Sequence, residues 1–221
     1  MRVLAGFLAL ACVLVAELAT AAELLVKVVD ARAGAVADAV VSVAMTDQAP
    51  ASANRSTQPS TKTIDQKRET FIPYVEVFRP GDSVVFRNSD TTRHHVYSFS
   101  PTKSFELVLR PGETSPPIAL ERVGTVAVGC NIHDQMITYL FVTDAAHAMR
   151  SDPGGVARFA GLAPGSYEVR VWHPQARYKP GAAESIRKLE IATDAENMDL
   201  EFALSLLPDP RQPQDRERAV Y

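Results

Sequence analysis

Apolar and polar residues alternate in short runs along most of the chain. The runs are Leu24 to Val29, Ala39 to Val43, Tyr74 to Phe78, Ser83 to Arg87, Val96 to Phe99, Phe105 to Leu109, Thr125 to Val128, Ile137 to Val142, Val156 to Phe159, Tyr167 to Trp172, Ile186 to Ile191 and Met198 to Ala203. A period of two predicts β-strands. Turn chemistry separates the runs at Pro80-Gly81, Pro111-Gly112, Asp152-Pro153-Gly154-Gly155 and Pro164-Gly165. That spacing predicts an all-β sandwich or barrel of many short strands. No long amphipathic helix follows the N-terminal segment. Two polar, proline-containing stretches break the pattern, residues 47–63 as a linker and residues 206–221 as a flexible tail.

The N-terminus reads differently. Arg2 precedes an apolar run from Val3 to Ala16, followed by the small residues Ala19, Ala21 and Ala22. This is the pattern of a cleaved export signal over residues 1–22. The run is shorter than the roughly 20 residues a bilayer span needs, and Glu17 closes it, so no membrane span is expected after cleavage. Lipid attachment at Cys12 is disfavoured by the absence of leucine from Ala9-Leu10-Ala11 at the usual place. A formal net charge of −3 shows no basic excess, which argues against nucleic acid as a partner.

Export changes the meaning of the cysteines. Of the 2 in the sequence, Cys12 leaves with the signal and Cys130 remains as a lone thiol where paired cysteines are normally oxidised. Cys130 stands in GCNIHDQM with His133 and Met136 at intervals of three. With 5 His and 5 Met in 221 residues, random placement gives that arrangement roughly 5 times in 10,000. The stretch Asn131 to Gln135 includes polar residues suited to a turn between two strands, and a turn lets side chains three apart converge. Thiolate, imidazole and thioether together suit copper, since zinc rarely takes a thioether and magnesium or calcium takes oxygen ligands. A trigonal two-histidine, one-cysteine copper site needs a second histidine. His94 and His95, in RHHVYSF, are the candidates. On a strand they face opposite ways, and alternation alone does not choose between them.

Two resemblances organise these observations. Residues 64–143 resemble a cupredoxin of the plastocyanin/amicyanin type: Gly81-Asp82-Ser83-Val84-Val85-Phe86-Arg87-Asn88 is similar to the family's Gly-Asp-x-Val-x-Phe-x-Asn strand, and His94-His95-Val96 to its His-Asn-Val element. The Cys130–His133–Met136 spacing is that of amicyanin-like members. The remainder, residues 23–46 and 145–205, resembles a carboxypeptidase regulatory-like, transthyretin-type β-sandwich, carried by Asp30, Gly34, Ala39, Val41, Gly154 or Gly155, Pro164, Gly165 and Tyr167. That family normally runs continuously, so the resemblance implies a Greek-key cupredoxin sandwich inserted into a discontinuous second sandwich. The whole chain, with HHVYSFSP, GCNIHDQM and VWHP, is similar to plastocyanin-like proteins labelled methylamine utilisation proteins, a label that does not establish methylamine as a substrate.

The cupredoxin resemblance implies one type 1 (blue) copper ion held by His94, Cys130, His133 and an axial Met136, with His95 as the alternative to His94 or a residue behind the ligands. It implies a periplasmic electron carrier rather than an enzyme, exchanging single electrons with c-type cytochromes or a periplasmic dehydrogenase. Copper delivery or storage without redox turnover is the alternative. Asp134, beside His133, is a departure that would add negative charge to a docking face. His173 is expected to be a packing or turn residue, and His147 to lie in the connection between the two sandwiches.

Overall fold

The computed structural model describes residues 22–47 and 58–211. The signal read over residues 1–22 lies outside them except for Ala22, as do residues 48–57 of the polar linker and 212–221 of the tail. Strands follow in chain order: β1 (Ala22–Asp30), β2 (Val40–Met45), β3 (Thr61–Gln66), β4 (Phe71–Ile72), β5 (Val75–Phe78), β6 (Ser83–Asn88), β7 (His94–Ser100) and β8 (Lys103–Leu109). Then come β9 (Ile118–Ala119), β10 (Gly124–Cys130), β11 (Ile137–Val142), β12 (His147–Arg150), β13 (Val156–Leu162), β14 (Gly165–Trp172), β15 (Ser185–Ile191) and β16 (Asn197–Leu204). The described residues contain no helix, and the protein is all-β.

The strands form four sheets: β13-β1-β16, β12-β2-β14-β15, β5-β11-β10-β7-β8 and β4-β3-β6-β9. Period-two alternation decides how they pair face to face. Leu24, Val26 and Val28 of β1 share an apolar core with Val41 and Val43 of β2, Val169 and Val171 of β14, and Phe202 and Leu204 of β16. A second core joins Ile64, Val84 and Phe86 to Val96, Val126, Val128, Leu140 and Val142. Each fully buried side chain of this kind stabilises the fold by about 1.5–3 kcal/mol relative to exposure.

The first core draws on both ends of the chain. β1 pairs in parallel with β16, from Glu23↔Asn197 to Asp30↔Leu204, and antiparallel with β13. The tight turn before β13 is closed by Gly155, whose N–H donates to the Asp152 carbonyl at 2.8 Å. At φ 76°, a Cβ on Gly155 would lie 2.5 Å from the Val28 carbonyl oxygen, so the approach of this turn to β1 requires glycine.

A third cluster joins the two sandwiches. The faces of β5 and β11 turned away from their own core carry Val75, Tyr139 and Phe141, which meet Val40 of β2 and Trp172 of β14. The Phe141 and Trp172 rings stand 5.0 Å apart, and Tyr139 and Trp172 5.8 Å. Beside this junction lies a cleft of about 1000 Å³ bordered by Ser42, Thr125, Phe141, Arg170 and Trp172.

Three segments differ from the sequence pattern. β3 begins inside the stretch read as a linker: Thr-Lys-Thr-Ile-Asp-Gln is mostly polar and turns only Ile64 and Gln66 fully inward, but its backbone pairs with β6 from Thr61↔Ser83 to Gln66↔Asn88. β12 occupies part of the expected connection, with His147 opposite Val43 of β2. In the segment read as a tail, Leu206 bridges to Ala176 and the Arg211 guanidinium lies 3.4 Å from the centre of the Tyr74 ring. Backbone pairing and a cation–π contact stabilise these stretches without any apolar periodicity.

Candidate metal centre

The site forms at one end of the sandwich that holds the second core, where β7, β10 and a short loop meet. In β7 the burial alternates, with His94, Val96 and Ser98 inward and Phe99 exposed on the opposite face. Cys130 ends β10 opposite Val96 and also faces the core, so Cys130 and His94 become diagonal neighbours on one face. The loop between β10 and β11 folds back at once: Met136 N–H donates to the His133 carbonyl at 3.0 Å, and Cys130 N–H to the Met136 carbonyl at 3.2 Å. This places His133 beside Cys130.

The Nδ1 atoms of His94 and His133 lie 3.7 and 3.9 Å from Cys130 Sγ. The three donor atoms all fall within 4.8 Å of one another, and the two rings are 5.2 Å apart. His94 is fully buried and Cys130 is 4 % exposed, while the His133 side chain retains 17 % exposure. Met136 is 1 % exposed and packs in the same apolar cluster as Cys130. His95 is not part of the group: its Nε2 meets Glu106 Oε1 at 2.6 Å on the outer face. Asp134 is exposed on the loop.

The donor spacing fits a metal. A metal at about 2.0–2.1 Å from nitrogen and about 2.3 Å from thiolate sulfur, with the ligands trigonal around it, sets nitrogen–sulfur separations of about 3.8 Å. Two imidazoles and one cysteine sulfur converging in this way are a donor set of the trigonal copper kind.

Asp90 and Glu69, absent from the sequence reading, stand against the histidines. His94 Nε2 meets Asp90 Oδ2 at 2.9 Å; the carboxylate can only accept, so the ring proton sits on Nε2 and the Nδ1 lone pair faces Cys130. Burial pushes the Asp90 carboxyl upward, but backbone N–H groups of Glu69 and Arg68, with His94, outweigh it and hold the group below the usual carboxylate range. Asn88, fully buried, donates from Nδ2 to the carbonyls of Thr92 and Leu109 at 2.8 and 3.0 Å, and its Oδ1 accepts from the Asp90 N–H at 2.9 Å. It thus braces the loop from Ser89 to Arg93. His133 Nε2 lies 3.5 Å from Glu69 Oε1. The one sequence signal for this arrangement is Asn88-Ser89-Asp90, a loop-forming run just ahead of the histidine pair.

The other histidines stand apart from this cluster. His173 is buried, accepts the Gln175 N–H on Nδ1 at 3.2 Å, and is driven by desolvation to a pKa of about 4. That is the signature of a neutral packing residue.

No protein-family model matches the chain, and no curated protein does. Among solved structures, a copper-containing nitrite reductase from Thermus scotoductus is similar at 24% identity and a TM-score of 0.35, over 37% of this chain and 22% of that one. The chain thus spans about a fifth of that protein's length. A purple cupredoxin from Nitrosopumilus maritimus is similar at 18% identity and a TM-score of 0.33, over 37% of this chain and 98% of that one. Amicyanin from Paracoccus versutus is similar at 15% identity and a TM-score of 0.35, over 46% of this chain and 98% of that one. Likeness at this level carries no argument about chemistry, which rests on the residues themselves.

Proposed function

We propose that the protein is an exported type 1 copper protein that passes single electrons between redox partners. One observation carries this reading: the convergence of His94 Nδ1, Cys130 Sγ and His133 Nδ1 within 4.8 Å at the buried end of a β-sandwich. A copper ion held there would supply one-electron chemistry by alternating between its two oxidation states.

The chain's own part is to hold the donors still. β7 and β10 pair at Gly129↔Tyr97 and Cys130↔Val96 and would hold two of the ligands in place, so little rearrangement would accompany a change of charge. In this reading Met136 would add a weak thioether ligand. The apolar cluster around Cys130 excludes water and lowers the local dielectric, which tunes the potential. His133, the outermost ligand, is the exit toward a partner such as a c-type cytochrome or a periplasmic dehydrogenase, with Asp134 adding negative charge beside it. No helix among the described residues is long and apolar enough to cross a membrane, and the N-terminal pattern supports export to the periplasm. A copper enzyme would need a further metal site, and only 5 histidines are present. The sandwich built on β1 and β16 is read as a carboxypeptidase regulatory-like module.

The test is direct. Purified protein loaded with Cu(II) is expected to show an intense thiolate-to-copper visible band and a type 1 EPR signal, both lost in Cys130→Ser. A wild-type spectrum without that band, or a band that survives the substitution, defeats the assignment. Mixing the reduced protein with soluble c-type cytochromes distinguishes transfer from delivery: rapid loss of copper to a chelator with no electron exchange marks a delivery or storage protein.

A further inference from the structure

The turn between β3 and β4 lies against the metal cluster and is built in an unusual way. Lys67 N–H donates to the Thr70 carbonyl at 3.0 Å, and the two residues between them, Arg68 and Glu69, both have left-handed backbone, with φ 54° and 53°. A turn of this hand normally uses Asn-Gly or Asp-Gly, because side chains at both central positions are strained. Here the Asp90 carboxylate holds it in place. Oδ1 accepts the Arg68 N–H in a short hydrogen bond and Oδ2 accepts the Glu69 N–H at 2.9 Å. The same Oδ2 meets His94 Nε2, and the Glu69 side chain, presented by this turn, meets His133 Nε2.

We propose that Asp90 is a positioning residue of the metal site and that Glu69 supplements it, so that each ligand imidazole is held by a carboxylate on the nitrogen turned away from Cys130. The physical consequence is twofold. The hydrogen-bonded Asp90 carboxylate fixes the orientation and tautomer of His94 and makes that imidazole a stronger donor, while Glu69, 3.5 Å from His133 Nε2, adds charge behind the second ring. Two negative charges just behind the ligands also favour the more highly charged metal, Cu(II) over Cu(I), so they hold the reduction potential down. Asp90 is the stronger of the two: its side chain is 13% exposed against 51% for Glu69, and its contact is shorter. Presenting the Glu69 carboxylate to His133 accounts for a residue other than glycine at that left-handed position.

The effect on potential rests on the copper reading, whereas the positioning role does not, and two measurements separate them. In the metal-free protein, ¹⁵N NMR of labelled histidines should find His94 as a single tautomer with its proton on Nε2, and as a mixture in Asp90→Asn. A proton on Nδ1 in the wild type, or a spectrum unchanged by the substitution, overturns the positioning role. In the Cu(II)-loaded protein, Asp90→Asn should weaken Cu(II) binding about 10–100-fold and raise the midpoint potential by about 59 mV for each tenfold by which Cu(II) loses more than Cu(I). Glu69→Gln should move both in the same direction by less. Unchanged affinity and potential in Asp90→Asn overturn the electrostatic role. So does recovery of the wild-type potential in Arg68→Gly/Asp90→Asn, because relief of the turn alone would then suffice. A wild-type protein that takes up no Cu(II) defeats the copper reading and the effect on potential, while the tautomer still decides whether Asp90 positions His94.

Discussion

His94 and Cys130, 36 residues apart in sequence, meet with Nδ1 3.7 Å from Sγ, whereas His95 turns to Glu106 on the opposite face of the same strand. The pleat of β7 gives the two adjacent histidines different environments. Copper-loaded His94→Ala should therefore lose the thiolate-to-copper band, while His95→Ala should keep its position and intensity. Visible absorption of the two variants at equal copper loading checks this; loss of the band in His95→Ala with retention in His94→Ala would reverse the assignment.

Met136 can be separated into a packing residue and a ligand. Its side chain is buried in the core that surrounds Cys130, so Met136→Ala should destabilise the metal-free protein by about 2–5 kcal/mol, and Met136→Leu, which nearly conserves volume, by less than about 1.5 kcal/mol. Urea unfolding without metal measures both. If the thioether also contacts copper, Met136→Leu should alter the visible and EPR spectra despite its near-normal stability; a spectrum identical to wild type leaves Met136 with packing alone.

The junction of the two sandwiches has a built-in reporter, since Trp172 is the single tryptophan and stands 5.0 Å from the Phe141 ring. Removing a buried ring costs about 3–5 kcal/mol, and Phe141 also meets Val40 across the junction. Phe141→Ala is thus expected to red-shift Trp172 emission and lower the unfolding midpoint. An unchanged emission maximum would mean that Trp172 does not depend on this contact for its shielding.

His173 makes stability depend on pH in a defined window. Burial lowers its pKa to about 4, against about 6.5 for an exposed histidine. As pH falls below about 6.5, the unfolded chain takes up a proton that the folded chain refuses, so stability declines until about pH 4 and this contribution then levels off. The total is about 3 kcal/mol. His173→Gln should flatten the unfolding free energy between pH 6.5 and 4 relative to wild type, leaving the acid loss due to carboxylates such as Asp82 and Asp90, both held below their usual range. Parallel curves for the two proteins across that window would refute the assignment.

How much of this was legible in the sequence differs from element to element. A strand such as Tyr167 to Trp172 announces itself because it buries one face, and burial selects alternate residues. β3 does not, because a strand of Thr-Lys-Thr-Ile-Asp-Gln owes its place to backbone pairing with β6, which leaves no mark on side-chain pattern. Likewise Arg211 shows no periodicity, yet the Tyr74 ring holds it.

For the site, the sequence by itself determined the donor chemistry and the local geometry of the loop: a lone cysteine with histidine and methionine at intervals of three brings those side chains toward one end of a hairpin, because short turns constrain near neighbours. Tertiary structure alone set which of His94 and His95 faces Cys130, since that depends on which face of β7 packs inward. It also decided that Asp90 and Glu69 stand behind the two histidines. Those contacts bring a turn between two strands against a loop some 20 residues later and another more than 60 later, and the folded sheets, not any local spacing, set distances of that kind.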